Sequence, residues 1–260
     1  MINGLDLFSG IGGIALALRE WVEPVAYCEY DRYAQAVLLS RMQTGDLVDA
    51  PIWDDVRTLQ GEHFDIPIDI VYGGFPCQDL SAAGSGAGLA GERSGLYFEL
   101  ERIVRETKPT FVFLENVPAI RTRGLGRVVW GLSELGYDLR WTVVSAQEVG
   151  APHLRKRWFL LAHANGAELR IKSGRRRRED RQSEAELKLD GPTLAHAKET
   201  WKALAEHRHS SKREWPSWLP EPALCRGHNG LSARVDRLRG LGNAVVPEQA
   251  REAFKRLMGL

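Results

Sequence analysis

Asp6-Leu7-Phe8-Ser9-Gly10-Ile11-Gly12-Gly13 leaves a short apolar run and enters a helical pattern. Glycines at a strand-to-helix turn let backbone approach a ligand at the carboxyl end of the strand, and a nucleotide-like cofactor suits that geometry. The spacing departs from the dinucleotide fingerprint, so tight packing of the turn is the competing reading. Outward from this turn, apolar runs at 5–8, 25–28, 68–72 and 111–114 alternate with helical spacing over 14–21, 32–41 and 97–106. That alternation predicts βα units around a mostly parallel sheet, an α/β fold. Further runs at 141–144 and 158–162 extend the same sheet.

With 43% hydrophobic content in 260 residues, the chain can bury one large core. No apolar run reaches bilayer-spanning length, and Met1-Ile2-Asn3 shows no basic stretch ahead of an apolar one. The expected compartment is the cytoplasm, with no membrane partner. Cys28, Cys77 and Cys225 are odd in number and widely separated, which suggests neither a disulfide framework nor a zinc cluster. No metal is expected. The net charge of +1 makes no case for nucleic acid, so any such case has to be local.

From His163 to about Pro222 the composition turns to Arg, Lys, Glu, His and Ser, and order returns after Arg234 with Gly240-Leu241-Gly242-Asn243 and an amphipathic helix over 247–258. The expected organisation is a main domain over 1–162, an inserted region over 163–232, and a closing segment over 233–260 that packs back onto the main domain. The echo of Leu161-Ala162-His163-Ala164 in Leu194-Ala195-His196-Ala197 is too brief for a structural repeat.

Several side chains fall where strands should end, at the rim that holds the glycine turn. Glu29 follows the second strand, where a carboxylate can accept two ribose hydroxyls; Asp31 is a rival on the same turn. Asp55, beyond a third strand, can accept from an adenine amino group or be an ordinary surface acid. Gly73-Gly74-Phe75-Pro76-Cys77-Gln78 presents Cys77 on a loop at this rim, which favours a reactive thiol, whereas Cys28 reads as a small buried hydrophobe. Glu115-Asn116-Val117-Pro118 puts a carboxyl beside it. Protonated, that carboxyl can donate to a base nitrogen; otherwise it caps the following turn. Arg155 and Arg157, two apart before a strand, should point the same way, to bind a carbonyl, to hold Glu115, or to form a solvated basic end.

Taken together, Pro76-Cys77-Gln78, Glu115-Asn116-Val117 and the glycine-rich opening, in this order, resemble the cytosine-5 DNA methyltransferase family, in its compact bacterial or phage-type form. The resemblance implies a Rossmann-like S-adenosylmethionine-dependent methyltransferase fold with a small target-recognition lobe over 163–232. It assigns Phe8, Gly10, Gly12, Glu29, Tyr30, Asp55, Leu96 and Asn243 to S-adenosylmethionine, and Cys77, Glu115, Arg155 and Arg157 to catalysis. His153 stands where the family has glutamine ahead of the arginine pair, and the block the family places before its closing Gly-Asn turn is not recognisable.

The implied reaction adds the Cys77 thiolate to carbon 6 of a flipped-out cytosine, with Glu115 and Arg157 stabilising the developing charge. Residues 79–94 read as a lid over DNA, and Arg170, Lys172 and Arg175 to Arg178 as phosphate contacts; a surface loop and a solvated charge run are the plainer readings. Double-stranded DNA is the implied partner of a monomer, with a separately acting restriction endonuclease. An RNA cytosine methyltransferase keeps the same chemistry and is the nearest alternative. A nicotinamide oxidoreductase leaves Cys77, Glu115 and the arginine pair unexplained, and a silent DNA-binding relative would not need an intact Cys77 and Glu115.

Overall fold

The computed structural model describes residues 1–76, 95–165 and 244–260. Its centre is a seven-stranded sheet in the order β3-β2-β1-β4-β5-β7-β6. The strands are β1 (Ile2–Leu7), β2 (Val22–Cys28), β3 (Ile52–Trp53), β4 (Ile70–Gly74), β5 (Phe111–Asn116), β6 (Tyr137–Ser145) and β7 (Lys156–Ala164). The pairings β1/β2, β1/β4, β2/β3 and β4/β5 are parallel, and β7 runs antiparallel to both its neighbours. The sheet is therefore mostly parallel, as its apolar runs predict, and the carboxyl ends of β1 to β5 share one rim. The reversal of β7 brings its first residues to that rim: Trp158 lies opposite Asn116 and Phe159 opposite Glu115.

Alternation along each strand divides the core between two faces. Leu5, Leu7, Val112, Leu114 and Leu160 pack under α3 (Leu96–Thr107) and α5 (Leu125–Glu134), which contribute Leu100, Ile103, Val128 and Leu132. Tyr27, Tyr72, Phe113 and Phe159 face the other way, toward α1 (Gly13–Leu18), α2 (Arg32–Gln43) and the C-terminal helix α6 (Pro247–Met258). A four-residue helix, α4 (Ile120–Arg123), follows β5. Covered on both faces, β5 is buried along its whole length, which explains why Phe-Val-Phe-Leu reads as a continuous apolar run.

The helix predicted over 247–258 forms over that span, with Pro247 at its first turn and Gly259 at φ 70° closing it. Phe254, fully buried, meets Trp21 at 5.4 Å and the edge of Phe113 at 5.2 Å between centroids. Buried Gln249 donates from Nε2 to the carbonyls of Val144 (3.0 Å) and Arg155 (2.6 Å). These contacts seat the helix on the sheet. Strands overrun their predicted bounds because backbone pairing continues past the apolar core: β7 extends through His163, opposite Phe111, to Ala164. The first helix stops earlier, at Leu18, where the Trp21 amide turns back to the Leu18 carbonyl. The inserted region from residue 166 onward and the lid at 79–94 lie outside the described residues.

Candidate active site

At the end of β1 the backbone enters the left-handed region three times within five residues, at Phe8 (φ 55°), Gly10 (φ 54°) and Gly12 (φ 83°). A phenylalanine in that region is strained and persists where its surroundings hold it. The Ser9 amide donates to the Cys28 carbonyl at 3.1 Å, and its hydroxyl to the Asp6 carbonyl at 3.0 Å. A Cβ on Gly12 would come within 2.5 Å of Leu47 Cδ1, and one on Gly13 within 2.7 Å of the Val245 carbonyl oxygen. At Gly10 nothing lies within 4 Å, so that part of the turn is open to a ligand.

Glu29 grips this turn: Oε2 accepts from the Gly10 amide at 2.6 Å and Oε1 from the Asp31 amide at 2.8 Å. Burial raises its proton affinity, against the hydrogen bonds that oppose it. The rival Asp31 caps α2, its Oδ1 accepting from the amides of Tyr33 and Ala34. Tyr30 is 73% exposed beside Glu29. The Asp55 carboxylate is engaged by Arg57 at 2.6 to 3.1 Å, which holds it below the usual carboxylate range. Phe8, Trp53 and Leu96 are half-buried against the cluster that contains Phe75 and Tyr97. The structure thus gathers Phe8, Gly10, Gly12, Glu29, Tyr30, Asp55 and Leu96 along the ends of β1, β2 and β3 and the start of α3; Asn243 lies outside the described residues.

The second half of the site forms where β4, β5 and β7 meet. A Cβ on Gly74 would fall 2.7 Å from Glu115 Oε2, so the absence of a side chain there makes room for the carboxyl. Glu115 is 8% exposed and Arg157 Nε lies 2.8 Å from its Oε1. Burial pushes Glu115 up to about 7 although Arg157 and Arg155 both pull it down. Both arginines exert this electrostatic influence, and Arg155 also donates to the Ala244 carbonyl at 2.7 Å, holding the returning C-terminal segment. Cys77 begins the span outside the described residues. Two residues before it, the Phe75 carbonyl accepts from Asn116 Nδ2 at 3.3 Å. Cys28 is buried and pushed up to about 12, an inert thiol, as its apolar strand predicts.

Two residues carry more than their motifs suggested. Asn116 ties the end of β5 to the loop that leads into Cys77; its place beside Glu115 in a strand-end motif was the available signal. Asp6, 1% exposed, has both carboxyl oxygens without a hydrogen-bond partner among the described residues, and burial together with Glu29 raises it well above the carboxylate range. An acid between Leu5 and Leu7 in a buried strand was its signal.

This sheet order, with a glycine turn at the end of β1 and a buried acid-arginine pair two strands away at the end of β5, defines a Rossmann-like methyltransferase fold. Residues 2–217 match the family model for C-5 cytosine-specific DNA methylase, and the chain belongs to that family. It is 40% identical over 159 residues to the Type II methyltransferase M.CviJI of Paramecium bursaria Chlorella virus IL3A, covering 61% of this chain and 42% of that one. To the Type II methyltransferase M.HhaI of Haemophilus parahaemolyticus it is 34% identical over 166 residues, 62% of this chain and 49% of the other. The chain thus spans less than half the length of these two curated relatives. A crystal structure of a candidate DNA modification methyltransferase encoded within an E. coli prophage superposes with a TM-score of 0.52 at 27% identity, covering 76% of this chain and 54% of that one.

Proposed function

We propose that this protein transfers a methyl group from S-adenosylmethionine to carbon 5 of a specific cytosine in double-stranded DNA, through a covalent adduct of Cys77 with a flipped-out base. The observation that carries the reading is Glu115, a buried acid near neutrality, paired with Arg157 on the rim that also bears the glycine turn. Family membership supports the reaction class.

The methyl donor fits the first half of the site. Gly10 leaves open space, the exposed Tyr30 ring offers a stacking face, and the Glu29 oxygens retain lone pairs for ribose hydroxyls beyond the two amides they accept. Asp55 would share its carboxylate between Arg57 and an adenine amino group. When bound, the sulfonium supplies an electrophilic methyl group. Cytosine carbon 5 is a weak nucleophile until a thiolate adds at carbon 6, and Cys77 makes that bond. Glu115, protonated, donates to ring nitrogen 3 as the charge develops there, and Arg157 supports the base carbonyl. Carbon 5 takes the methyl group, leaving S-adenosylhomocysteine, and then gives up its proton to a general base; the carbon 6 bond to Cys77 breaks as nitrogen 3 returns its proton to Glu115, restoring the ring.

The region over 163–232 is read as the part that chooses the cytosine, and its described start, His163 to Asn165, belongs to the sheet and its edge. The Type II names of the relatives favour a separately acting restriction endonuclease. Incubating the protein with labelled donor and either duplex DNA or tRNA, then with duplex containing 5-fluorocytosine, tests the whole reading. A DNA-protein adduct mapped to Cys77, absent from Cys77→Ala, is expected. Methylation of tRNA alone, or an adduct at Cys28 or Cys225, would overturn it.

A further inference from the structure

We infer that Arg41 sets the affinity for the methyl donor without touching it, as a positioning residue that holds the crest of the glycine turn; the inference rests on the reading of that turn as the donor site. A basic residue in the last turn of a helix ordinarily serves the helix's own terminal carbonyls. Arg41 reaches elsewhere. Its Nη1 donates to the carbonyl of Ile11, 30 residues earlier, at 2.7 Å. Ile11 stands between Gly10 and Gly12, the two left-handed glycines of the turn.

The main chain of Arg41 braces the same turn a second time. Its carbonyl accepts from the amides of Asp46 (2.9 Å) and Leu47 (3.1 Å), closing the reversal after α2. That reversal delivers buried Leu47 onto Gly12, at the distance where no Cβ is tolerated. At its other end α2 is bound to Glu29: the Asp31 amide donates to Oε1, and Gln35 Nε2 to the Glu29 carbonyl at 2.6 Å. One rigid helix therefore grips the turn at Gly10 through Glu29 and at Ile11 through Arg41. Left-handed backbone at Phe8, Gly10 and Gly12 is maintained by such over-determination. Without the guanidinium the turn spends part of its time in other conformations, and the donor's apparent affinity falls by the fraction lost.

The test uses the full chain and S-adenosylhomocysteine as the probe, with binding measured by calorimetry and turnover measured on duplex DNA. Arg41→Met keeps the aliphatic stem and removes the donors; Arg41→Lys restores one cation. For Arg41→Met the dissociation constant and the KM for S-adenosylmethionine rise ~10-fold or more, as for loss of one charged hydrogen bond. At saturating donor kcat stays within ~2-fold, because the base half of the site is untouched. Arg41→Lys recovers most of the affinity, and Arg32→Ala, an exposed position on the same helix, changes nothing. Wild-type affinity in Arg41→Met, or a fall in kcat at unchanged affinity, overturns the inference. Failure of the wild-type protein to bind the probe overturns the donor-site reading beneath it.

Discussion

Titrating Glu115 separates an acid catalyst from a structural ion pair. Desolvation and two arginines pull the carboxyl in opposite directions and leave it at about 7. One pH unit above that value roughly a tenth of the molecules keep the proton. If nitrogen 3 of the base is served by the acid form, kcat/KM for DNA falls about tenfold per unit on the alkaline side, with its midpoint near 7 in the free enzyme. Arg157 favours the carboxylate, so Arg157→Gln moves that limb to higher pH while lowering the rate. Glu115→Gln cannot titrate and cannot give up a proton: the limb disappears and kcat drops by ~10²–10⁴-fold. Stability follows the same sign. Raised in the folded protein from its ordinary 4.5, Glu115 contributes stability that is complete below 4.5 and lost as pH rises through about 7. The assay is steady-state methyl transfer at saturating donor across the neutral range. An alkaline limb that survives in Glu115→Gln and does not move in Arg157→Gln would refute the assignment.

Gly73→Ala drives a Cβ into the Leu7 carbonyl on the neighbouring strand, backbone against backbone, and should cost ~3 kcal/mol or more in denaturant unfolding; an unperturbed midpoint would mean that β1 and β4 can part. Phe254→Ala removes a fully buried ring between Trp21 and Phe113 and should cost ~3–5 kcal/mol by the same measurement. Asp55→Ala should raise the KM for S-adenosylmethionine ~10-fold, whereas an unchanged KM would confine Asp55 to its ion pair with Arg57.

Periodicity made the sheet legible because buried parallel strands must be largely apolar, and β1, β2, β4 and β5 carry that constraint in short, mostly apolar runs. Their bounds were less legible, since a strand continues wherever backbone pairs: Tyr137 to Arg140 and His163 to Ala164 join the sheet with little apolar signal. Candidate site residues stood out where a polar side chain met an apolar strand end, as at Glu29 and Glu115. Their partners did not. Nothing local in the chain ties Arg41 to Ile11, divides the work of Arg155 from that of Arg157, or hands Asp55 to Arg57, because these pairings depend on packing between distant segments or on a side-chain rotamer. Asp6 escaped for the opposite reason: its neighbours disguised it as one polar residue in a motif chosen for its glycines.

The two halves of the site have different supports. Gly10, Glu29, Tyr30 and Asp55 stand on β1, β2 and β3 and are braced by α2, while Glu115 and Arg157 stand on β5 and β7. Between them lies only the β1/β4 pair, where Gly73 lets the Leu7 carbonyl approach closely, and Gly74 then leaves space for Glu115. Two adjacent glycines thus do separate tasks, one setting the spacing of the strands and the other seating the acid. Because β4 pairs with β1 on one side and β5 on the other, a shift of β4 against β1 would carry the acid away from the glycine turn. Under the proposed reaction, with the donor on one half and the base on the other, transfer demands near-contact of the reacting atoms. On that reading the close β1/β4 approach serves the reaction as well as the fold.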